Sequence, residues 1–218
     1  MKFVEFIAKA RTKSGEVVRG FFLFKLGAHF RRWRKRPLPS EDKVLIHIGC
    51  GVLNDRRYIN VDTRPGWHID YVESIENFPR LFPPDYADLI YACHVLEHVS
   101  YLAIPKTLKG LYRCLKKGGI LRLSVPDFRA IIAIYREKRS VPDIMALLMG
   151  GQGYPGNFHF SVFDEDSLTE ALGKAGFAEV RSWDPASASF HDFEDWSRRQ
   201  KHLYGRNWTV SLNLEAVK

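Results

Sequence analysis

From residue 43 onward, short apolar runs alternate with stretches in which apolar residues return every three or four positions. Short runs bounded by turn formers read as strands, and the longer period reads as the buried face of a helix. On this basis strands fall at 44–48, 58–61, 69–72, 87–92, 120–125, 178–183 and 209–215, and helices at 104–115, 128–138, 143–149 and 165–175. The last helix has readable ends, because Asp164 is suited to cap its first turn and Gly176 to take the left-handed conformation that stops it. Strands alternating with helices predict a doubly wound, mostly parallel α/β sheet of seven strands. Residues 184–208 are long for a hairpin and rich in aromatic and charged side chains, which suits contacts particular to this protein.

Before residue 43 the pattern changes. Val18, Phe22, Leu26, His29 or Phe30, and Trp33 recur at helical spacing, with Arg19, Lys25, Arg32 and Arg36 on other faces. A basic amphipathic helix is expected, ending at Pro37-Leu38-Pro39-Ser40. The chain therefore divides into an extension, 1–40, and one domain, 41–218. Residues 1–36 hold eleven Lys or Arg against Glu5 and Glu16, a net +9, whereas the whole chain carries +8. The basicity thus belongs to the extension. With Phe21-Phe22-Leu23-Phe24 it suits an anionic membrane surface, and less well RNA; the bland alternative is a helix packed on the domain with solvated charges.

Composition adds only limits. The length of 218 residues and 45% hydrophobic content suit one soluble α/β domain. Cys50, Cys93 and Cys114 have no C-x-x-C spacing, which argues against a disulfide framework or a structural zinc site. No apolar stretch is long enough to cross a bilayer, and no signal peptide is recognisable, so a cytoplasmic protein, at most peripheral on the membrane, is expected.

The strongest chemical signal is Val44-Leu45-Ile46-His47-Ile48-Gly49-Cys50-Gly51, a strand running into Gly-x-Gly, where the backbone can turn sharply and a ligand can approach without a Cβ in the way. The next strand ends in Asp62, at the edge where a carboxylate can accept hydrogen bonds from both ribose hydroxyls. A dinucleotide site would want a third glycine opening a helix to present amides to a pyrophosphate; Asn54 stands there instead, and the ten residues between Gly51 and Asp62 leave no room for a full helix. A cofactor without phosphates fits better.

The ordered set Ile48-Gly49-Cys50-Gly51, Asp62, Ala87-Asp88-Leu89-Ile90-Tyr91 followed by His94-Val95-Leu96-Glu97-His98, and Leu115-Lys116-Lys117-Gly118-Gly119 resembles the successive motifs of class I S-adenosylmethionine-dependent methyltransferases, over about residues 43 to 218. The tail, Ser211-Leu212-Asn213-Leu214-Glu215-Ala216, resembles the final, antiparallel strand of a small bacterial subgroup of them. The resemblance implies a Rossmann-like sheet and S-adenosylmethionine as cofactor. It places Gly49, Cys50 and Gly51 beside the methionine part, Asp62 on the ribose, Asp70 to Ser74 at the adenine with Ser74 or a backbone amide reading its edge, and Ala92 to His94 at the amino-acid end. The loop 52–57 departs from the pattern by lacking a helix. That shortening motivates a rival of another class, an inactive scaffold recruiting a partner through the basic arm; retention of Gly49, Gly51 and Asp62 favours the enzyme.

His94, His159 and Asp127 are the candidate catalytic groups. Methyl transfer mainly requires alignment and exclusion of water, and a hydroxyl acceptor gains from a base that titrates near neutrality. His94 follows the fourth strand, where an acceptor would lie. His159 follows the glycine-rich stretch 150–156, a candidate lid, and serves equally well as a histidine hydrogen-bonded between packed aromatics. Asp127 either faces the acceptor or caps the next helix. His94-Val95-Leu96-Glu97-His98 also matches the H-x-x-E-H zinc-protease pattern, but that needs a long helix, and here it follows a strand directly; no metal ligand is assigned, and Glu97 and His98 are expected to cap or pin the following helix. Ala92-Cys93-His94-Val95 is unlike the Pro-Pro stretch of enzymes that methylate base amino groups, which disfavours nucleic acid. By analogy with relatives in bacterial surface-polysaccharide pathways, a small-molecule or glycan hydroxyl is the expected acceptor.

Overall fold

The computed structural model describes residues 43–154 and 156–218, so the expected basic helix and its boundary lie outside the described residues. The strands are β1 (Leu45–Ile48), β2 (Tyr58–Asp62), β3 (Tyr71–Val72), β4 (Ala87–Cys93), β5 (Leu115–Pro126), β6 (Glu179–Ser182), β7 (Gln200–Leu203), β8 (Arg206–Thr209) and β9 (Ser211–Val217). The helices are α1 (Ile104–Cys114), α2 (Phe128–Lys138), α3 (Val141–Met149) and α4 (Glu165–Ala175). Seven strands form one sheet in the order β3-β2-β1-β4-β5-β9-β6, in which β1 to β5 pair in parallel and β9 lies antiparallel to both β5 and β6. This is the predicted Rossmann-like sheet.

β1 is buried along its whole length because both faces of the sheet are covered. Alternate residues Ile46, Ile48, Ile90, Ala92, Leu121 and Leu123 enter the main core. There they meet α1 through Leu108 and Leu111 and α4 through Leu168 and Leu172, each pair at helical spacing. On the other face Leu45, Tyr58, Leu89, Tyr91 and Trp183 pack with Phe190 and Phe193. His47 joins this layer, its ring 5.9 Å from Phe193 and 4.9 Å from Tyr91. The segment around Phe190 therefore covers the face that a helix after β1 would otherwise bury. Tyr58 donates to the Phe190 carbonyl at 2.7 Å, and Arg57 bridges Asp55 and Asp192.

Asp164 and Gly176 end α4 as expected: the Asp164 carboxylate accepts from Ser167 N–H at 2.9 Å in a reciprocal cap, and Gly176 has φ +113°. Several boundaries move, among them these three. Leu115 opens β5 rather than closing α1, the third strand has only Tyr71 and Val72 in ladder pairing, and Thr209 belongs to β8 rather than to the last strand. The stretch 184–208 contains most of an extra hairpin, β7–β8, turning at Tyr204 and Gly205, both at positive φ. Leu203, Tyr204 and Trp208 pack with Ile131 and Ile134 of α2 and Ile144 and Leu147 of α3 in a satellite core.

Candidate functional site

Parallel pairing sets Ile48 beside Val61 and Ala92. The next residues along each strand, Gly49, Asp62 and Cys93-His94, consequently meet at the carboxyl edge, where open α/β sheets bind ligands. A cleft of about 230 Å³ opens there, lined by Gly49, Asp62, Thr63, Arg64, Glu73, Ser74, Glu76, His94, His98, Tyr154 and Gly156 among others. A larger hollow, about 540 Å³, lies around Leu53 to Arg57 and Asp192, but it contains neither the glycine turn nor Asp62 and is not the site.

The glycine turn is built for this place. Gly49 has φ +69°, and a Cβ on it would stand 2.2 Å from Val95 Cγ2. Gly51, at φ +58°, would meet only an Arg64 nitrogen at 4.0 Å. Its N–H donates to Asp62 Oδ2 at 2.9 Å, while Arg64 N–H donates to Asp62 Oδ1 at 2.8 Å. Each carboxylate oxygen keeps a further lone pair, so this buried acid at the cleft wall can still accept from a ligand diol. An adenosyl group with a ribose and no phosphate fits these residues. Cys50 contributes backbone alone, since its side chain is buried and burial pushes the thiol up to about 12. Ser74 sits in the cleft; its oxygen accepts from Asn77 N–H at 3.3 Å, leaving the hydroxyl proton to donate.

His94 holds a left-handed φ of +52° at the end of β4, an uncommon conformation for a residue with a side chain. Its Nε2 meets Ser211 Oγ at 2.8 Å, and that hydroxyl donates to the Trp196 carbonyl at 2.7 Å, so His94 is the donor. Its Nδ1 lies 3.2 Å from Glu97 Oε1. The Nε2 proton of His94 is thus committed to Ser211, while Nδ1 faces Glu97.

Residues 96–98 form one 3-10 turn, not the long helix of a zinc protease. Glu97 and His98 do not cap α1. The Glu97 side chain is buried with neither oxygen hydrogen-bonded, and His98 Nδ1 takes the Phe158 carbonyl at 2.9 Å. Burial would raise the Glu97 carboxyl, but contact with His94 and the nearby imidazoles hold it below the usual value. His159 is not set between aromatics as expected: Phe158 and Phe160 stack on each other, and the His159 ring instead lies 5.1 Å from His98. Its Nδ1 takes the Leu147 carbonyl at 3.1 Å, and its Nε2 is 4.0 Å from Glu97 Oε1. Burial depresses the His159 imidazole, with the Glu97 charge opposing. Asp127 caps α2 by accepting from Arg129 N–H at 2.9 Å and does not line the cleft.

Sequence reasoning missed Thr63, Arg64, Glu76 and Tyr154. Arg64 had a signal in the Asp-x-Arg spacing, which folds into a local turn on Asp62. Tyr154 had none; it reaches the cleft by lying 5.1 Å from the Arg64 guanidinium.

Residues 27–182 match a family model described as a methyltransferase domain. The chain belongs to that family. It is a class I methyltransferase that uses S-adenosylmethionine. A structure described as a SAM-dependent methyltransferase from Archaeoglobus fulgidus is similar, with TM-score 0.53, 16% identity, and 91% of this chain and 99% of that one covered. Another, a SAM-dependent methyltransferase from Methanosarcina mazei, has TM-score 0.51 and 17% identity over 82% of this chain and 93% of the other. At these identities the two share its fold. No curated protein matches the chain. Among the described residues no helix is long and apolar enough to cross a membrane.

Proposed function

We propose that this methyltransferase acts on a hydroxyl of a small molecule or glycan precursor. S-adenosylmethionine, when bound, supplies an electrophilic methyl group on a sulfonium centre. Asp62 holds the ribose, the Gly49–Gly51 turn lets the backbone approach the amino-acid part, and Glu73 and Ser74 border the adenine. Tyr154 and Gly156 stand at the opening, where they limit water. The observation that supports an oxygen acceptor is the Glu97–His98–His159 cluster beside the cleft. A hydroxyl must shed its proton to attack well, whereas a neutral amine already presents its lone pair, and this cluster is a feature able to assist the first.

The test supplies methyl-¹³C donor with a panel of sugars, nucleotide sugars, phenols and amines, and reads the product by carbon NMR. O–CH₃ signals from hydroxylated acceptors support the reading; transfer confined to N–CH₃ products overturns it. The +9 charge of residues 1–36 supports one further element, contact with an anionic membrane surface from the cytoplasmic side. Salt-sensitive sedimentation with phosphatidylserine vesicles that disappears when residues 1–36 are removed is the expected result; sedimentation that survives the truncation overturns it.

A further inference from the structure

Glu97, His98 and His159 each place one donor atom within 4.8 Å of the other two. Carbonyl oxygens only accept, so the contacts of His98 Nδ1 with Phe158 and of His159 Nδ1 with Leu147 fix a proton on each Nδ1. In the neutral rings the lone pair then stands on Nε2. A backbone carbonyl on Nδ1 is the arrangement that orients an imidazole to bind a metal through its other nitrogen. The third member, Glu97, is a carboxylate with 1% exposure and no hydrogen bond to either oxygen. Its nearest polar groups, His94 Nδ1 at 3.2 Å from Oε1 and His159 Nε2 at 4.0 Å, make no aligned hydrogen bond to it, and a cation would supply a partner for the buried side chain.

We infer that Glu97, His98 and His159 form a binding site for a divalent transition-metal ion on the wall of the methyl-transfer cleft. Two neutral imidazoles and one carboxylate are a donor set that Zn²⁺, Co²⁺ or Mn²⁺ accepts while keeping positions open. Metal–nitrogen bonds of about 2 Å put neighbouring donors about 3 Å apart, so the three side chains close in by roughly 1 Å on binding. The site replaces the reading that assigned this protein no metal ligand. It differs from the protease pattern in its members, since His94 stands behind Glu97 as a positioning residue and His159 arrives from a distant loop. His98 itself lines the cleft, so the ion borders the acceptor space. Resting on the oxygen-acceptor reading, its role is to bind the acceptor hydroxyl and make it more acidic, with the proton passing to water.

The experiment uses the full chain, free of any histidine tag and stripped with chelator, titrated with Co²⁺ while d–d absorption is followed, and then with Zn²⁺ in competition. Saturable binding of one ion per chain is expected, weakened at least about tenfold in both His98→Ala and His159→Ala. His202→Ala, an exposed histidine on the β7–β8 hairpin, leaves it unchanged. Glu97→Gln is buried and is read only if its circular dichroism matches the parent; His98→Ala removes a partly exposed ring and carries the test alone if needed. No saturable Co²⁺ binding by the parent chain, or parental affinity in His98→Ala, overturns the site. Cobalt binding is read without an acceptor, so an N–CH₃ product in the transfer assay would sink the acceptor reading and leave the metal site standing.

Discussion

Substituting Gly49 separates two costs that the structure assigns to one residue. At φ +69° any side chain costs about 1–2 kcal/mol in backbone strain. A Cβ there also overlaps Val95 Cγ2 at 2.2 Å, and relieving that overlap by shifting packed atoms adds about 1–3 kcal/mol. Gly49→Ala is therefore expected to lose about 2–5 kcal/mol of stability. Gly51→Ala, with φ +58° and nothing nearer than 4.0 Å, pays the backbone part alone, about 1–2 kcal/mol. Val95→Ala removes Cγ2 and leaves Cβ at 3.4 Å, an ordinary contact, so the Gly49→Ala/Val95→Ala double variant recovers the overlap part. The measurement is urea unfolding of all four variants, followed by tryptophan fluorescence, with S-adenosylhomocysteine titrations on the same preparations. A favourable coupling of about 1–3 kcal/mol between the two sites is expected. A Gly49→Ala cost below about 0.5 kcal/mol, within the ordinary range for surface substitutions, would refute both the strain and the overlap, and strict additivity would refute the overlap.

Asp62→Asn keeps the shape but loses the charge proposed to accept from a ribose; S-adenosylhomocysteine binding by calorimetry should weaken about tenfold or more, and unchanged affinity would remove Asp62 as the anchor. His47 is fully buried, and burial lowers it from 6.5 to about 4 in the folded protein. The unfolded chain takes up that proton near pH 6.5 and the folded one only near 4, so stability should fall by about 3 kcal/mol as pH drops through this window and then level off. Urea unfolding at pH 7 and pH 4 should show that share absent in His47→Phe; an equal acid loss in both proteins would discount it. Arg122 and Glu215 form a buried pair at 2.6 Å between β5 and β9, with Arg122 also donating to the Ser189 carbonyl. Glu215→Ala should cost about 3–5 kcal/mol in thermal or urea unfolding, and Arg122→Leu/Glu215→Leu much less; equal losses would mean that packing, not the stranded charge, sets the cost.

Much of this architecture was readable from local pattern. Ile46 and Ile48 alternate with Leu45 and His47, Leu108 and Leu111 stand three apart on α1, and Asp164 and Gly176 bracket α4. Such features depend on periods and end-chemistry carried by neighbouring residues, so no partner need be known to see them. The β7–β8 hairpin escaped because Gln200–Leu203 and Arg206–Thr209 show no apolar alternation; their packing surface comes from Ile134 and Leu147 elsewhere in the chain. The absence of a helix after Gly51 was countable from sequence, but not that the Phe190–Phe193 segment would cover the exposed face in its stead.

The site divides along the same line. Gly49, Gly51 and Asp62 follow strands whose ends the hydrophobic pattern marks, and parallel pairing with no register shift at these ends then brings them together. For the histidines, sequence alone offered residue types without partners. A hydrogen bond to Ser211 occupies His94, and the approach of the 158–160 segment to Glu97 places His159 beside His98. Chain distance says nothing about such meetings, because residues 158–161 and β9 return to the edge of β4 only through the packing of the domain. Local pattern was enough for the sheet, the glycine turn and the acid beside it, whereas which imidazole meets Ser211 and which approaches the buried Glu97 depended on contacts between residues 50 to 120 positions apart.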